Sequence, residues 1–309
     1  MRFGFLAGLF AAVLLTPHVT ATAFRTGDII VATAEGDPFL GQDTYQIREI
    51  APDGVLIQEF PNYLGLGMRF SPSGILHVAA LTEIERFASD GSELPPIANP
   101  LPGDSIHSLA FDHSGNLFAG TAGGNVLAFG SDGTFRAAYP VGQASTSWID
   151  LGPDDCTIYF LNVSHIGRFD VCTHTPLSTL PTVLGGSFGY TLLVLPDGTL
   201  LASTVPAGMS LIRQDGTVLR SYNTHAIAYA LDIDPNFVWV NYQGKLAKFD
   251  LRNDGIVAGP FVNGEGIRGA AVVGATPQTI PALSPLGLMF VGLILAASGL
   301  VRLQMSGAR

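Results

Sequence analysis

Residues 108–139 read SLAFDHSGNLFAGTAGGNVLAFGSDGTFRAAY, and this stretch decides the fold. It contains four short apolar runs, at Ser108–Phe111, Asn116–Thr121, Val126–Gly130 and Thr134–Tyr139, and turn residues rich in Gly, Asp, Asn and Ser separate them. Short runs with turn signals at intervals of roughly 8–12 residues are typical of strands in an all-β protein. The stretch therefore predicts one four-stranded antiparallel sheet.

The second run of this unit recurs along the chain at intervals of about 41 residues. Self-similarity with a period of roughly 40–45 residues and several strands per copy is typical of a β-propeller, in which each copy is one blade. The six in-phase runs are DIIVAT (Asp28–Thr33), ILHVAA (Ile75–Ala80), NLFAGT (Asn116–Thr121), TIYFLN (Thr157–Asn162), TLLAST (Thr199–Thr204) and FVWVNY (Phe237–Tyr242).

Turn residues recur in the same phase. An Asp-Gly pair separates the third and fourth strands in five copies, and Asp-Gly between apolar runs is a strong hairpin signal. These pairs end at Gly54, Gly91, Gly133, Gly216 and Gly255.

The first copy lacks its innermost strand, because it begins with the second strand at Asp28. The run Ile267–Val273 (IRGAAVV) is an innermost strand with no blade after it. Pairing the two would close the ring and leave no open sheet edge. The sequence predicts an all-β, six-bladed β-propeller closed by the pairing of its C-terminal strand with the N-terminal blade, over residues 24–275.

Both ends of the chain have the composition of targeting segments. An apolar run after Met1-Arg2, followed by small residues up to Ala23, predicts a secretory signal peptide over residues 1–23, with an uncleaved membrane anchor as the alternative. Residues 276–279 form a polar linker. Residues 280–309 then contain an apolar stretch near the lower limit for a transmembrane helix.

The C-terminal segment resembles the IPTL-CTERM sorting signals, relatives of the PEP-CTERM signals handled by exosortase-type enzymes. Ala282 stands where that family usually has Thr. The resemblance implies export, tethering to the membrane through the C-terminal helix and processing by a sorting protease at the envelope of a Gram-negative bacterium, in the periplasm or on the outer surface. An ordinary C-terminal anchor would also place the domain outside the cytoplasm. The resemblance rests on the helix and on Ile280, Pro281, Leu283, Ser284, Arg302 and Arg309.

The charge balance excludes one class of partner. The formal net charge is −10, and the 15 Lys and Arg residues form no run. Binding to nucleic acid needs clustered basic residues that neutralise phosphates, so no nucleic-acid partner is expected.

The two cysteines, Cys156 and Cys172, lie in one copy of the repeat, at equal distances from a hairpin centre near Ser164. In an exported protein this arrangement predicts an intra-blade disulfide. Free buried thiols and a metal site are the alternatives.

In propellers, ligands usually bind at the channel mouth, which is formed by the loops entering each innermost strand and those joining second to third strands. His107 and His225 hold matching places before innermost strands, so they could serve acid–base chemistry or metal binding, or be solvated loop residues. The candidate binding residues at the mouth are His107, His225, His165, Trp148, Tyr190, Tyr229 and Arg268, with further polar groups at Asp37, Asp43, Glu83, Asp104, Asn125 and Gln243.

The blade rhythm and Asp-Gly turns of residues 27–275 resemble the NHL-repeat and streptogramin-lyase-like propellers and, more loosely, the gluconolactonase and regucalcin propellers. The lyase resemblance implies a His and Glu site with a divalent cation. The lactonase resemblance implies a cation held by Glu, Asn and Asp, for which Glu35, Asn125 and Asp232 are suitable residue types. Ca²⁺ or Mg²⁺ is thus a possible cofactor.

Two functions follow from these observations. The sorting tail and the lack of a recognisable catalytic motif favour a non-enzymatic module that binds an unidentified envelope or extracellular ligand or protein. The alternative is a divalent-cation-dependent lyase or lactonase with its active site at the channel mouth.

Overall fold

The computed structural model describes residues 21–35, 44–141, 146, 148–162, 165–182, 184–185, 188–261 and 266–275. Within these ranges the chain forms 24 β-strands and no helix. The strands are β1 (Ile29–Glu35), β2 (Thr44–Ile50), β3 (Leu56–Pro61), β4 (Met68–Phe70), β5 (Leu76–Ala79), β6 (Glu83–Phe87), β7 (Glu93–Ala98), β8 (Ile106–Phe111), β9 (Leu117–Thr121), β10 (Asn125–Phe129), β11 (Phe135–Pro140), β12 (Ile149–Leu151), β13 (Thr157–Asn162), β14 (His165–Asp170), β15 (Thr175–Leu177), β16 (Phe188–Val194), β17 (Leu200–Val205), β18 (Gly208–Ile212), β19 (Val218–Tyr222), β20 (Ile227–Leu231), β21 (Phe237–Tyr242), β22 (Lys245–Asp250), β23 (Gly255–Phe261) and β24 (Ile267–Val272).

The strands form six four-stranded antiparallel sheets, which are the six blades of a propeller. Blade 1 has the order β24-β1-β2-β3, and blades 2 to 6 each use four consecutive strands from β4 onwards. The innermost strands, β24, β4, β8, β12, β16 and β20, each contact the next in a closed circle. The predicted six-bladed ring is confirmed.

The predicted closure between the two ends of the propeller is also confirmed. β24 pairs antiparallel with β1, with Ile29 opposite Val272 and Val31 opposite Ala270. The innermost strand of blade 1 thus comes from the end of the domain, and β24 contacts both β20 and β4.

Most of the Asp-Gly turns have the expected geometry. Gly54, Gly91, Gly133 and Gly216 all have positive φ, between 82° and 91°. In the fifth turn Asp254 adopts the left-handed conformation instead, with φ of 56°, which Asp tolerates better than most residues.

The core lies between neighbouring blades. Six clusters of buried apolar side chains occur among the described residues, one at each junction between two blades. Second strands are therefore almost wholly buried, as in β9, whereas the outermost strands, such as β19, are largely exposed. A single blade cannot bury both of its faces, so stacking of neighbours stabilises the ring.

The propeller ring has two ends. The mouth end is where the six innermost strands begin, and the base end is where they finish. The N-terminal residues dock at the base end, where the Phe24 ring packs against Phe60 and Phe70 at 6.1 and 5.7 Å between centroids.

No helix in the described part of the chain is long and apolar enough to cross a membrane. Most of the predicted signal peptide, the linker and the sorting motif, including Ile280, Pro281, Leu283, Ser284, Arg302 and Arg309, lie outside the described residues. The domain boundaries remain predictions.

Candidate binding site at the channel mouth

Three of the candidate residues form one aromatic cluster. Trp148 precedes β12, Tyr190 lies on β16 and Tyr229 lies on β20, so they come from three consecutive blades. The ring centroids are 6.4 Å apart for Trp148–Tyr190, 6.0 Å for Trp148–Tyr229 and 6.2 Å for Tyr190–Tyr229. Trp148 and Tyr190 are only partly buried, so the cluster presents aromatic surface at the mouth end.

Four of the candidate residues lie at β-bulges. The ladder shifts register once in β8, β16, β20 and β24, and the unpaired residues there are His107, Tyr190, Tyr229 and Arg268. A bulge leaves one residue without a partner and redirects its side chain, and bulges are frequent beside functional sites. Four of the six innermost strands therefore contain a β-bulge near the mouth end.

Tyr229 is the fixed part of the cluster. It is buried, and its hydroxyl donates a hydrogen bond to the Ile267 carbonyl at 3.0 Å. Burial raises the pKa of Tyr229 well above its ordinary value, and the neighbouring Tyr190 raises it further. The phenol is therefore neutral and acts as a rigid wall that joins blade 6 to blade 1.

Arg268 continues this surface onto blade 1. Its side chain is partly exposed, and it makes no hydrogen bond or ion pair with another described residue. Its positive charge lowers the pKa of Tyr229, although less than burial raises it. A guanidinium without a carboxylate partner is suited to bidentate binding of an anion.

Two buried hydroxyls at the same end also lack partners. Thr33 Oγ1, near the end of β1, and Thr224 Oγ1, in the loop before β20, are the buried side-chain polar atoms without a hydrogen bond among the described residues. Unsatisfied buried polar atoms are rare and often mark the position of a bound water or ligand. Neither threonine is among the residues predicted from the sequence. At the position in blade 3 that corresponds to Thr33, Thr121 Oγ1 does have a partner, because it accepts the Asn125 backbone N–H.

His107 lies farther round the ring, on blade 3. Burial lowers the pKa of its imidazole, and Asp104 partly opposes this effect. Asp104 itself organises the loop, since it accepts hydrogen bonds from the Gly123 N–H at 2.7 Å and from Asn125 Nδ2 at 3.1 Å. Burial raises the pKa of Asp104, but hydrogen bonds from Thr121, Ser105, Gly123 and Asn125 outweigh burial, so the pKa is lowered overall.

The structure does not assemble the candidate histidines into one site. His225 enters blade 6, on the opposite side of the ring from His107, and its Nδ1 lies 2.5 Å from the Pro206 carbonyl oxygen. His165 is exposed at the start of β14. The hypothesis of a paired His107–His225 site is not supported by this geometry.

The cation set suggested by the lactonase resemblance is also separated. Asn125 begins β10 at the mouth end, whereas Asp232 follows β20 at the base end. Asp232 there accepts hydrogen bonds from Trp239 Nε1 at 2.8 Å and pairs with Lys248 Nζ at 2.9 Å. The Glu35 side chain, Asp37 and Asp43 lie outside the described residues.

The predicted disulfide between Cys156 and Cys172 is confirmed, with a Cα–Cα distance of 5.3 Å. It joins two turns of blade 4 at the base end. Among the described residues, the one group of three potential metal ligands is Cys156, Asp170 and Cys172. Because both sulfurs of this group are in the disulfide, the alternative of a cysteine metal site is not supported.

Comparisons with known proteins bear on the fold. No protein-family model matches the chain, and no curated protein matches it in sequence. A solved protein of unknown function from Bacteroides caccae is 14% identical, with a TM-score of 0.62 over 81% of this chain and 100% of that one. A chain from a nidogen/laminin complex is 13% identical, with a TM-score of 0.62 over 80% and 98%.

Streptogramin B lyase is also similar in structure, at 13% identity and a TM-score of 0.51 over 76% of this chain and 74% of that one. At such identities the likeness shows the fold alone. The chain therefore has the six-bladed β-propeller architecture that it shares with streptogramin-B-lyase-like propellers.

Proposed function

We propose that this chain is an exported binding module whose channel mouth holds a ligand with a flat ring face and an anionic group. The observation that carries the proposal is the aromatic cluster of the partly exposed Trp148 and Tyr190 on the buried Tyr229, with Arg268 on the next blade. Concave sites of this kind combine aromatic walls with a few polar groups that fix orientation.

Each part of the surface has a distinct task. Trp148 and Tyr190 offer partly exposed rings on which an apolar ring face can stack. Arg268 supplies a positive charge that no described residue neutralises. An acidic saccharide, such as a uronate, has both the ring face and the carboxylate.

The extracytoplasmic location is part of the proposal. It is supported by the disulfide, since such bonds persist in oxidising compartments. The signal-like N-terminus and the sorting-signal resemblance of residues 280–309 point the same way. The partner would then be a component of the envelope or of the surroundings of a Gram-negative cell.

Tryptophan fluorescence tests the site directly. The chain has two tryptophans, and Trp239 is buried while Trp148 lines the mouth. Titration of residues 24–278 with oligogalacturonate should change the Trp148 emission saturably. Arg268→Gln should weaken binding about 10-fold, the loss of one charge-assisted contact. Arg213→Gln, an exposed arginine at the base end, is the matched control.

Saturable binding that Arg268→Gln leaves unchanged would contradict this assignment, as would binding that does not alter Trp148 emission. The enzymatic alternative, a cation-dependent lyase or lactonase, predicts a different result. It requires stoichiometric Ca²⁺ or Mg²⁺ in the purified protein and a fall in melting temperature on chelation, whereas the binding module should melt at the same temperature with and without chelator.

A further inference from the structure

A cavity lies far from the channel mouth, between blades 2 and 3 at the base end. Its volume is about 250 Å³. The turn after β4, the turn after β8 and the turn after β10 surround its opening, and Ile97 and Phe111 form apolar walls. This volume lies just below the roughly 300–1,000 Å³ of drug-sized ligand pockets, which limits the cavity to a small ligand.

His77 lines this cavity and is 6% exposed. It lies on β5, in a second strand where the corresponding side chains of other blades are mainly apolar, as with Phe118 and Trp239. The Nε2 atom of His77 is not one of the buried polar atoms that lack a hydrogen bond, so this nitrogen is accessible to solvent from the cavity.

The hydrogen bonding of His77 is incomplete. Nδ1 lies 3.1 Å from the Ile75 carbonyl oxygen, which can only accept, so Nδ1 carries the proton. Burial lowers the pKa of His77 to about 4, so the ring is neutral at physiological pH. Nε2 is therefore a hydrogen-bond acceptor, and no described residue donates to it. The ring itself is held edge-on against Phe111, with centroids 4.9 Å apart.

Arg86 provides the charge of this site. It is the cross-strand neighbour of His77 on β6 and lines the same cavity. Its Nε donates to the Pro95 carbonyl oxygen at 2.8 Å, and it has no carboxylate partner among the described residues. The nearest carboxylate in the adjoining depression, Asp132, is bonded to the N–H and hydroxyl of Thr134. The terminal nitrogens of Arg86 are thus available to an anion.

We propose that this groove between blades 2 and 3 is a second binding site, for a small organic carboxylate that also carries a hydroxyl or amine. The carboxylate pairs with Arg86, the hydroxyl or amine donates to His77 Nε2, and the body of the molecule packs against Phe111 and Ile97. The site is independent of the channel mouth, because it lies at the other end of the ring.

The probe is 4-hydroxybenzoate, compared with benzoate, which lacks the donor, and with 4-hydroxybenzamide, which lacks the charge. Binding to residues 24–278 is measured by NMR titration, together with ¹H–¹⁵N spectra of the histidine rings. We expect 4-hydroxybenzoate to bind saturably and to shift the His77 ring signals, which should show an Nδ1–H tautomer. The wild-type spectra test the site even if a variant fails to fold.

Two variants and two controls separate the contacts. His77→Phe should weaken 4-hydroxybenzoate about 10-fold and leave benzoate unchanged, because only the former donates to Nε2. Arg86→Met should weaken both acids. Arg136→Met, on the neighbouring exposed strand, and Arg213→Gln, on blade 5, should weaken neither. Absence of saturable binding by the wild type, or binding that leaves the His77 signals unmoved, would overturn the proposal.

Discussion

Arg69 and Asp150 meet across the central channel, with Nη2 3.4 Å from Oδ2. Arg69 lies on the innermost strand of blade 2 and Asp150 on that of blade 4. The same carboxylate accepts the Val194 N–H of blade 5 at 2.9 Å. One side chain thus ties three blades together, and burial, opposed chiefly by the charge of Arg69, raises its pKa.

Removing one member of this pair should destabilise the ring strongly. Asp150→Ala leaves the arginine without its counter-charge and the Val194 N–H without an acceptor, so we expect a loss of about 3 kcal/mol in the free energy of unfolding. Arg69 is 20% exposed, which keeps the loss toward the lower part of the usual range for buried pairs. Urea unfolding followed by circular dichroism measures it.

The double variant Arg69→Met, Asp150→Leu is the control, since it removes both charges and fills the space. It should be more stable than Asp150→Ala alone, because neither an unpaired charge nor a large cavity remains. A double variant that is as unstable as Asp150→Ala, or less stable, would contradict this account, because losses that only add show no coupling between the two side chains.

The contacts that can be predicted from the sequence are those that recur with the period of the repeat. The blades, the closure by Ile267–Val272 and the disulfide follow from spacing, and spacing is visible in one sequence. Arg69 and Asp150 come from different copies of the repeat, and no local signal links them. The mouth aromatics Trp148, Tyr190 and Tyr229 could be placed by their position before or within innermost strands.

Three features of the sites could not be predicted from the sequence, each for its own physical reason. A bulge shifts the register of a strand by one residue, and no local sequence signal around Tyr229 or Arg268 predicts it. Residue type alone also suggested a cation set from Asn125 and Asp232, which the antiparallel path of the blades places at opposite ends. The unpartnered Nε2 of His77 depends on the carbonyl of Ile75, a backbone contact that cannot be read from side-chain chemistry.

The packing that closes the ring leaves no space for a side chain at Gly269. A Cβ at this position on β24 would overlap the carbonyl oxygen of Leu66, which is backbone and cannot move aside easily. We expect Gly269→Ala to lower the free energy of unfolding by about 2 kcal/mol or more, within the range for overpacking. Gly255→Ala is the matched control, because a Cβ there meets no atom within 4 Å. Equal melting temperatures for the two variants would contradict the close contact between blades 1 and 2.

Acid should weaken the propeller through the aspartates of its base-end turns. Asp250 accepts the Arg252 N–H at 2.8 Å and a hydrogen bond from Asn253 Nδ2 at 2.8 Å. Burial raises its pKa, but these bonds outweigh burial and the pKa of Asp250 falls to about 2. Since this lies below the value of about 3.9 for an unfolded chain, the stabilisation is present above that value and is lost as pH falls toward 2.

Thermal melts between pH 7 and pH 2 test this assignment. Asp250→Asn should melt below the wild type at pH 7, and the two should converge near pH 2, where the wild-type carboxylate is protonated. Asn253→Ala keeps the carboxylate and removes one donor, so its deficit should be smaller and follow the same pH course. A deficit for Asp250→Asn that stays constant over the whole range would show that its role is steric and not ionic.

The C-terminal segment should contribute nothing to the stability of the ring. β24 already completes blade 1, and residues 280–309 lack the alternation of the blades. Deleting them should leave the melting temperature nearly unchanged and move the protein from the membrane fraction to the soluble fraction. Fractionation of cells that express the full and the shortened chain, with melting of both purified proteins, measures the two effects. A misfolded shortened chain would mean that the segment belongs to the core. A shortened chain that stays in the membrane fraction would mean that the N-terminal segment is an uncleaved anchor, and the cleavage site after Ala23 would be wrong.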